Sequence, residues 1–391
     1  MKLLFPRGYF YRCRGCGRCC RDWNIHVDEA TYQALGAAPF IGRLKEGKGC
    51  DLFRVSEEDG SVSTVRRDDG RCIFLDDKAL CDIHGELGYG AKPLVCRQFP
   101  FKLKPTPDGV FVGVSFYCES CQRNVGDPLE SYSGGLEGIL GEHRFSAVND
   151  ENILLDQCIS LDWEGYRALE SFVMERLDAG ASLEGGLIDA LSRVCLLVME
   201  CRKEGITGLS ADLLAGRLER IAAQPLAHDP MLEELSSFFT MAVVGVLESS
   251  SPEEARANTD ALLQGGTLKS GLFEKEIAMA GFFPYYRAHP SPWKHDFTRR
   301  YVDHLVFRKF LAGPEPVICN LAALLVAYSL LEFYLYLSAY QEGKVSPGEE
   351  DMFIAYGIVE KGFAAHTRTM VPFFRAFADG FIDQLAAAGG A

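Results

Sequence analysis

The sequence concentrates its cysteines close to its amino terminus. Ten of the 14 lie within the first 121 residues, and the stretch CRGCGRCC, from Cys13 to Cys20, places four thiols in eight residues. Fourteen cysteines in 391 residues are too dilute for a small disulfide scaffold. In a reducing compartment, clustered thiols are more often metal ligands or catalytic groups than disulfides. The clustering therefore predicts a metal site near the start of the chain.

The spacing of these cysteines favours a thiolate centre. Cys13, Cys16 and Cys19 recur every three residues, so a loop can wrap with successive sulfurs facing one point. Four thiols where a zinc knuckle has two favour an iron–sulfur cluster, with 4Fe-4S as the expected type. Zinc stays open as the alternative, because paired CxxC units also build structural zinc sites. The candidate metal ligands are Cys13, Cys16, Cys19, Cys20, Cys72, Cys81, Cys96, Cys118 and Cys121.

Other polar residues near the cysteines have open roles. His26 and His84 can each be a metal ligand, a general base or a surface residue. A local basic patch either meets an anionic ligand or forms a solvated face. The patch consists of Lys92, Arg97, Lys102 and Lys104. The sequence has no CxxxCxxC motif of radical enzymes and no GxGxxG turn between a strand and a helix, and it identifies no catalytic residue.

Charge is distributed unevenly along the chain. The formal net charge is -14, and residues 1–127 hold 19 basic against 17 acidic side chains, which leaves 21 against 37 for the rest. Contacts to phosphate backbones need Lys and Arg to release counterions. The acidic second part therefore argues against nucleic-acid binding.

Hydrophobic patterning predicts a mainly α fold in two parts. Short strand-like runs such as SVSTVRR and GVFVGVSFY, separated by turns, predict a small irregular cysteine-rich metal-binding domain with short β-strands. Apolar residues at helical spacing behind capping residues predict an all-helical C-terminal domain. The predicted ranges are 1–125 for the cysteine-rich domain, 126–160 for a linker or connecting loop, and 161–391 for the helical domain.

One apolar segment is long enough to cross a bilayer. It runs over 24 residues from Val317 to Tyr340, but it contains Glu332. We expect it to be the central buried helix of the C-terminal domain, with no second span and no stable membrane insertion. Cys195 and Cys201 lie on a helical apolar stripe and are expected to be core residues. The amino terminus lacks the apolar stretch of a secretory signal, so a cytoplasmic protein is expected.

Three stretches resemble the YkgJ-type cysteine-cluster family, which is described as zinc- or iron-chelating. They are CRGCGRCC, CIFLDDKALCDIHGELG and KPLVCRQFP. The continuation CCRDWNIHVDEATYQAL is similar to the flagellin lysine-N-methylase branch. This resemblance implies a protein lysine methyltransferase that uses S-adenosylmethionine and an iron–sulfur cluster, with a protein such as flagellin as its substrate. It implies cluster ligation by Cys13, Cys16, Cys19, Cys20, Cys72, Cys81 and Cys96, and it supplies no catalytic base.

Two other functions stay open at this point. The cysteines can hold iron or zinc in a non-enzymatic metal or cluster carrier, with the helices docking a partner. Alternatively, structural zinc can stabilise a protein-interaction module, although this needs only four of the cysteines.

Overall fold

The computed structural model describes residues 2–21, 23, 25–142, 153–224, 229–288, 294–364 and 370–389. The chain divides into two units, Met1–Ser146 and Ala147–Ala391. Short strands and short helices make up the first unit, and long helices dominate the second. The predicted fold class, mainly α with a cysteine-rich region of short strands, is therefore confirmed.

The first unit is built from short elements. Its strands are β1 (Leu3–Leu4), β2 (Phe10–Tyr11), β3 (His26–Val27), β4 (Phe53–Val55), β5 (Val62–Thr64), β6 (Phe101–Thr106), β7 (Gly109–Val114) and β8 (Asp127–Pro128). Its α-helices are α1 (Glu29–Gly36), α2 (Pro39–Lys48), α3 (Asp82–Leu87), α4 (Leu94–Gln98), α5 (Glu119–Arg123) and α6 (Ser133–Glu142). Single 3-10 turns lie at Arg18–Cys20, Tyr89–Ala91 and Leu129–Tyr132. The strands form the sheets β1-β7-β6, β3-β5-β4 and β2-β8.

A small apolar core organises the region around the cysteines. The start of α1 is capped by Asp28, whose carboxylate accepts the backbone N–H of Thr31 at 2.9 Å. The buried residue of this helix, Leu35, packs with residues of α2, α3 and the segments between them. The core consists of Leu35, Phe40, Ile41, Leu52, Ile73, Phe74 and Ile83. Cys72 and Cys81 pack against it, so the core determines where these two thiols lie.

The range 126–160, predicted as a linker, is not one continuous loop. It contains β8, a 3-10 turn and α6, while residues 143–152 lie outside the described part of the chain. Leu136 and Ile139 are buried on α6, whereas the glycines around them are exposed. Glycine and serine content indicated a loop, but two aliphatic side chains one turn apart provide a helix with a buried face.

The second unit is a helical assembly with short strands at its edges. Its α-helices are α7 (Trp163–Ala179), α8 (Leu183–Glu204), α9 (Ala211–Ala223), α10 (Pro230–Leu247), α11 (Pro252–Gln264), α12 (Met279–Ala288), α13 (Lys294–Phe307), α14 (Val317–Gln341), α15 (Glu349–Ile358) and α16 (Val371–Gly389), with a π-helix at Val359–Ala364. Its strands are β9 (Ile153–Leu154), β10 (Ser160–Leu161), β11 (Gly208–Leu209), β12 (Thr267–Ser270) and β13 (Lys275–Ala278). These strands form the sheet β11-β10-β9 and the hairpin β12-β13, which the prediction of an all-helical domain did not include.

Helix α14 is the central helix of the second unit, as predicted. Of its 25 residues, 21 are buried, and it contacts α8, α10, α12, α13, α15 and α16. The buried carboxylate of Glu332 accepts a hydrogen bond from the Tyr286 hydroxyl at 3.2 Å. Cys195 and Cys201 are fully buried on α8, which confirms that they are core residues.

By length and composition alone, two helices of the described chain could cross a membrane. They are α10 and α14, and 89% of the apolar window of α14 is buried inside the protein against 39% for α10. The expectation that no second segment meets this test is therefore wrong. A core helix of a soluble protein also satisfies this length and composition test, and the burial of α14 fits that case.

Candidate metal centre

The loop that holds the first cysteines lies between β2 and the following 3-10 turn. Gly15 and Gly17 adopt φ angles of +64° and +68°, which L side chains rarely adopt. A Cβ atom at Gly17 would also lie 2.8 Å from the Cβ of Ala79. The loop therefore folds directly onto the hairpin between Cys72 and Cys81, and only glycine allows this approach.

Cys72 and Cys81 flank the hairpin expected from the sequence. Leu75 pairs with Cys81 through an isolated antiparallel bridge. The backbone N–H of Cys72 donates to the carbonyl of Cys20 at 2.8 Å. The end of the cysteine loop is thus joined to the start of the hairpin, and Cys20 lies beside Cys72.

Four cysteines from three chain segments come together in a first set, which we name the Cys96 group. Its members are Cys20 from the loop, Cys72 and Cys81 from the hairpin, and Cys96 from α4. Burial raises the pKa of Cys96 to about 12, Lys92 opposes this rise, and negative charge on Cys20, Cys72 and Cys81 adds to it. The four thiols are therefore within electrostatic range of one another.

Lys92 lies among the thiols of the Cys96 group. Burial lowers the pKa of Lys92, but negative charge on Cys81, Cys96 and Cys20 outweighs burial, so the pKa is raised. Its ammonium is also 5.5 Å from the ring centroid of Tyr89. A half-buried cation stabilises the deprotonated, metal-binding form of nearby thiols.

The basic patch predicted from the sequence is not one solvated face. Lys92 is half-buried beside the thiols, and Arg97 forms an ion pair with Glu142 at 2.5 Å. Burial lowers the pKa of Lys104, and only Lys102 of the four residues is exposed. The four residues are close in sequence, but Lys92 lies beside the thiols, Arg97 is on α4 beside Glu142, and Lys102 and Lys104 are on β6.

The other five of the nine candidate ligands form a second set, which we name the Cys13 group. Its members are Cys13, Cys16 and Cys19 from the loop, with Cys118 and Cys121 from the start of α5. A hydrogen bond with the Cys121 side chain lowers the pKa of Cys118. Burial raises the pKa of Cys16, and negative charge on Cys118 and Cys13 adds to that rise. Two CxxC units more than 90 residues apart in sequence are thereby brought together.

Cys19 and Cys20 join the two groups. Their sulfurs are 3.9 Å apart, although Cys19 belongs to the Cys13 group and Cys20 to the Cys96 group. The hydrogen bond between the two side chains raises the pKa of Cys19 and lowers that of Cys20. Lys92 also lowers the pKa of Cys20. The two groups are thus adjacent, with one peptide bond between them.

The cysteine sulfurs have the right type and number for a metal site, but the distances between them are too long to hold a metal ion. Within the described ranges, no set of three or more His, Cys, Asp or Glu side chains could hold a metal ion in its present arrangement. A tetrahedral zinc with Zn–S bonds of about 2.3 Å brings its sulfurs to within roughly 4 Å of one another. A bound metal would therefore draw these side chains inward.

The two candidate histidines lie outside both groups. His84 is exposed, and its ring packs against Tyr89 at 5.8 Å between centroids. His26 is exposed on β3. Cys50 is exposed and is not a candidate ligand, and Cys158, which belongs to the second unit, is exposed as well.

Mostly half-buried thiols from distant segments, several of them beside Lys92, define a cysteine-cluster metal-binding domain. Residues 12–121 match the family model CxxCxxCC, described as "Putative zinc- or iron-chelating domain". This region therefore belongs to a cysteine-cluster family, as the resemblance predicted, and metal binding is the property that the family description gives.

A relative is similar to part of this chain. An uncharacterized protein of Methanocaldococcus jannaschii is 28% identical over 120 residues, which are 30% of this chain and 39% of that protein. No solved structure matches this chain. Neither the family description nor the relative's name mentions methyl transfer.

Proposed function

We propose that the cysteine-rich unit holds two metal centres, a 4Fe-4S cluster in the Cys96 group and a zinc ion in the Cys13 group. The observation that carries this proposal is the division of nine cysteines into two sets, each with at least four thiols. A single centre with four ligands would leave five of these nine thiols without a role.

The Cys96 group suits a cluster better than a single ion. It supplies four thiols, the number that a 4Fe-4S cluster requires. No CxxC unit of the kind that closed zinc sites use lies among these four cysteines. Lys92 offsets part of the negative charge that four thiolates bring together. A bound cluster would supply one-electron redox chemistry.

The Cys13 group suits a structural zinc ion. The units CRGC and CESC provide two CxxC pairs, the arrangement that closed zinc sites use. The hydrogen-bonded side chains of Cys118 and Cys121 are already close together, as ligands of one ion must be. Four ligands would then be Cys13, Cys16, Cys118 and Cys121, and Cys19 would remain beside Cys20 at the junction.

Metal analysis of cysteine variants tests the two-centre proposal. After anaerobic purification, we expect about four iron, four sulfide and one zinc per chain, with the absorption of a 4Fe-4S cluster. Cys72→Ser should lose iron and sulfide but keep zinc, and Cys118→Ser should lose zinc. Cys50→Ser and Cys158→Ser are matched controls, because both thiols lie outside the groups, and they should keep both metals.

Other metal contents would contradict specific parts of the proposal. If the protein contained only zinc after anaerobic reconstitution with iron and sulfide, the proposed cluster would be excluded. Loss of all metal in both Cys72→Ser and Cys118→Ser, with the folded far-ultraviolet circular dichroism retained, would indicate one shared centre. Unchanged metal content in either variant would exclude that thiol as a ligand.

We propose separately that the protein transfers methyl groups from S-adenosylmethionine to a protein such as flagellin. The support for this proposal is the likeness of CCRDWNIHVDEATYQAL to the methylase branch. Incubation of the metal-loaded protein with flagellin and radiolabelled S-adenosylmethionine tests it, and absence of label on flagellin lysines argues for the carrier or interaction function instead.

A further inference from the structure

A cavity of about 380 Å³ opens in the first unit next to the Cys96 group. Its wall includes three arginines, two hydroxyl side chains and one carboxylate. These are Arg54, Arg66, Arg67, Ser63, Thr64 and Asp68. The buried hydroxyl of Thr64 also accepts a hydrogen bond from the Cys72 thiol at 3.7 Å. The cavity and the Cys96 group therefore share a wall.

The charge around this cavity is unbalanced. Three arginines and a single acidic residue, Asp68, line the cavity, which leaves a formal excess of two positive charges. Within the described part of the chain, neither the Arg54 nor the Arg66 side chain has a hydrogen bond or an ion pair. Other arginines of this unit do have carboxylate partners, as Arg12 does with Asp127 at 2.7 Å. An anion in the cavity would supply the missing partner.

Backbone pairing sets where the arginines of this cavity lie. Arg54 on β4 lies directly opposite Ser63 on β5 in antiparallel register. Arg66 forms an isolated antiparallel bridge with Cys72, and the Arg67 guanidinium donates to the carbonyl of Leu75. Because these residues are on paired segments, their backbone positions are set before any ligand arrives, and only the arginine side chains lose freedom on binding.

We propose that this cavity binds a small phosphate monoester. A guanidinium presents paired N–H donors that match the oxygens of a phosphate, and two surplus positive charges match a phosphate dianion. Ser63 can add a hydroxyl donor, and Asp68 can accept a hydrogen bond from a hydroxyl of the ligand's organic part. The volume admits a phosphate with a short carbon body but is at the small end of ligand pockets.

Calorimetric titration of the metal-loaded full chain tests this site. Inorganic phosphate and glycerol 3-phosphate are titrated separately in a phosphate-free buffer at constant ionic strength. Both should bind saturably, glycerol 3-phosphate the more tightly. Arg54→Gln and Arg66→Gln should each weaken binding by about tenfold or more, since each removes a charged hydrogen-bond donor. Arg43→Gln is the control, because Arg43 is exposed on α2 and lies 3.8 Å from Glu86, and its affinity should stay within about twofold of the parent value.

The two arginine variants are checked for folding by circular dichroism and for iron content. A loss of binding can then be distinguished from a loss of structure. Both arginines are exposed, and either variant alone is sufficient if the other fails to fold. No saturable binding of either compound, or equal binding in the parent and both arginine variants, would overturn the site. Binding of inorganic phosphate without glycerol 3-phosphate would overturn the monoester class. These results do not depend on which metal the Cys96 group holds.

Discussion

At the scale of single residues, Gly17 determines how the cysteine loop meets the hairpin. Its φ of +68° is costly for any L side chain, and its Cβ position is 2.8 Å from the Cβ of Ala79. Ala79 itself has a positive φ of 60°, so both sides of this contact have constrained backbones. The close approach brings the cysteine loop against the hairpin that carries Cys72 and Cys81.

We expect Gly17→Ala to destabilise the cysteine-rich unit by roughly 2–4 kcal/mol, from left-handed backbone strain together with overpacking. The free energy of unfolding is measured by urea denaturation of the apo chain. Gly8→Ala is the matched control, since Gly8 has a φ of +76° but no atom within 4 Å of its Cβ position, and it should cost only about 1–2 kcal/mol. Equal losses in the two variants would show that the contact with Ala79 is unimportant.

At the scale of elements, α14 is buried around its whole circumference rather than along one stripe. Leu324 and Leu325 are consecutive residues that face different neighbours, yet both are completely buried. A helix of this kind is surrounded by others, and its side chains fill space between several helices. The long apolar sequence of α14 is therefore explained by its central position among the helices of the second unit.

Leu324→Ala should lower the free energy of unfolding by about 2–5 kcal/mol, because a cavity would remain among packed helices. Leu213→Ala is the control, since Leu213 on α9 is 60% exposed and should cost less than about 1 kcal/mol. Thermal and urea unfolding of both variants measure the difference. A small effect of Leu324→Ala would mean that neighbouring helices collapse into the space.

Elements with a clear local pattern could be predicted from the sequence, and long-range groupings could not. The runs SVSTVRR and GVFVGVSFY contain β5 and β7, and the apolar segment from Val317 corresponds to α14. The sorting of cysteines depends on contacts such as Cys20 with Cys72, 52 positions apart, which spacing within a motif does not encode. The arginine cavity escaped notice for the same reason, because Arg54 and Arg66 meet only after β4 pairs with β5.

At the scale of the whole molecule, the two units have different sources of stability. The second unit has a large helical core around α14, whereas the core around Phe74 in the first unit contains seven buried residues. Small apolar cores commonly depend on disulfides or metals for stability, and the cysteines of the first unit are free. Metal binding would therefore contribute to the folding of the first unit in particular.

Metal removal by a chelator under reducing conditions should loosen the first unit and leave the second intact. Hydrogen exchange followed by mass spectrometry measures this, with the backbone amide of Cys72 as a reporter because it donates to Cys20. We expect its protection to fall when metal is removed, while the amides of α8 and α14 keep theirs. Equal protection of the cysteine segments with and without metal would contradict a folding role for the metal.

The short loop that carries Cys16 and Cys20 has a consequence for the order in which the centres fill. Cys16, a proposed zinc ligand, and Cys20, a proposed cluster ligand, are only four positions apart, so a metal bound at either thiol restricts the backbone that carries the other. The first metal to bind would thus immobilise part of the second site in advance, so the two centres would load cooperatively. By thermodynamic reciprocity, loss of either metal would weaken retention of the other.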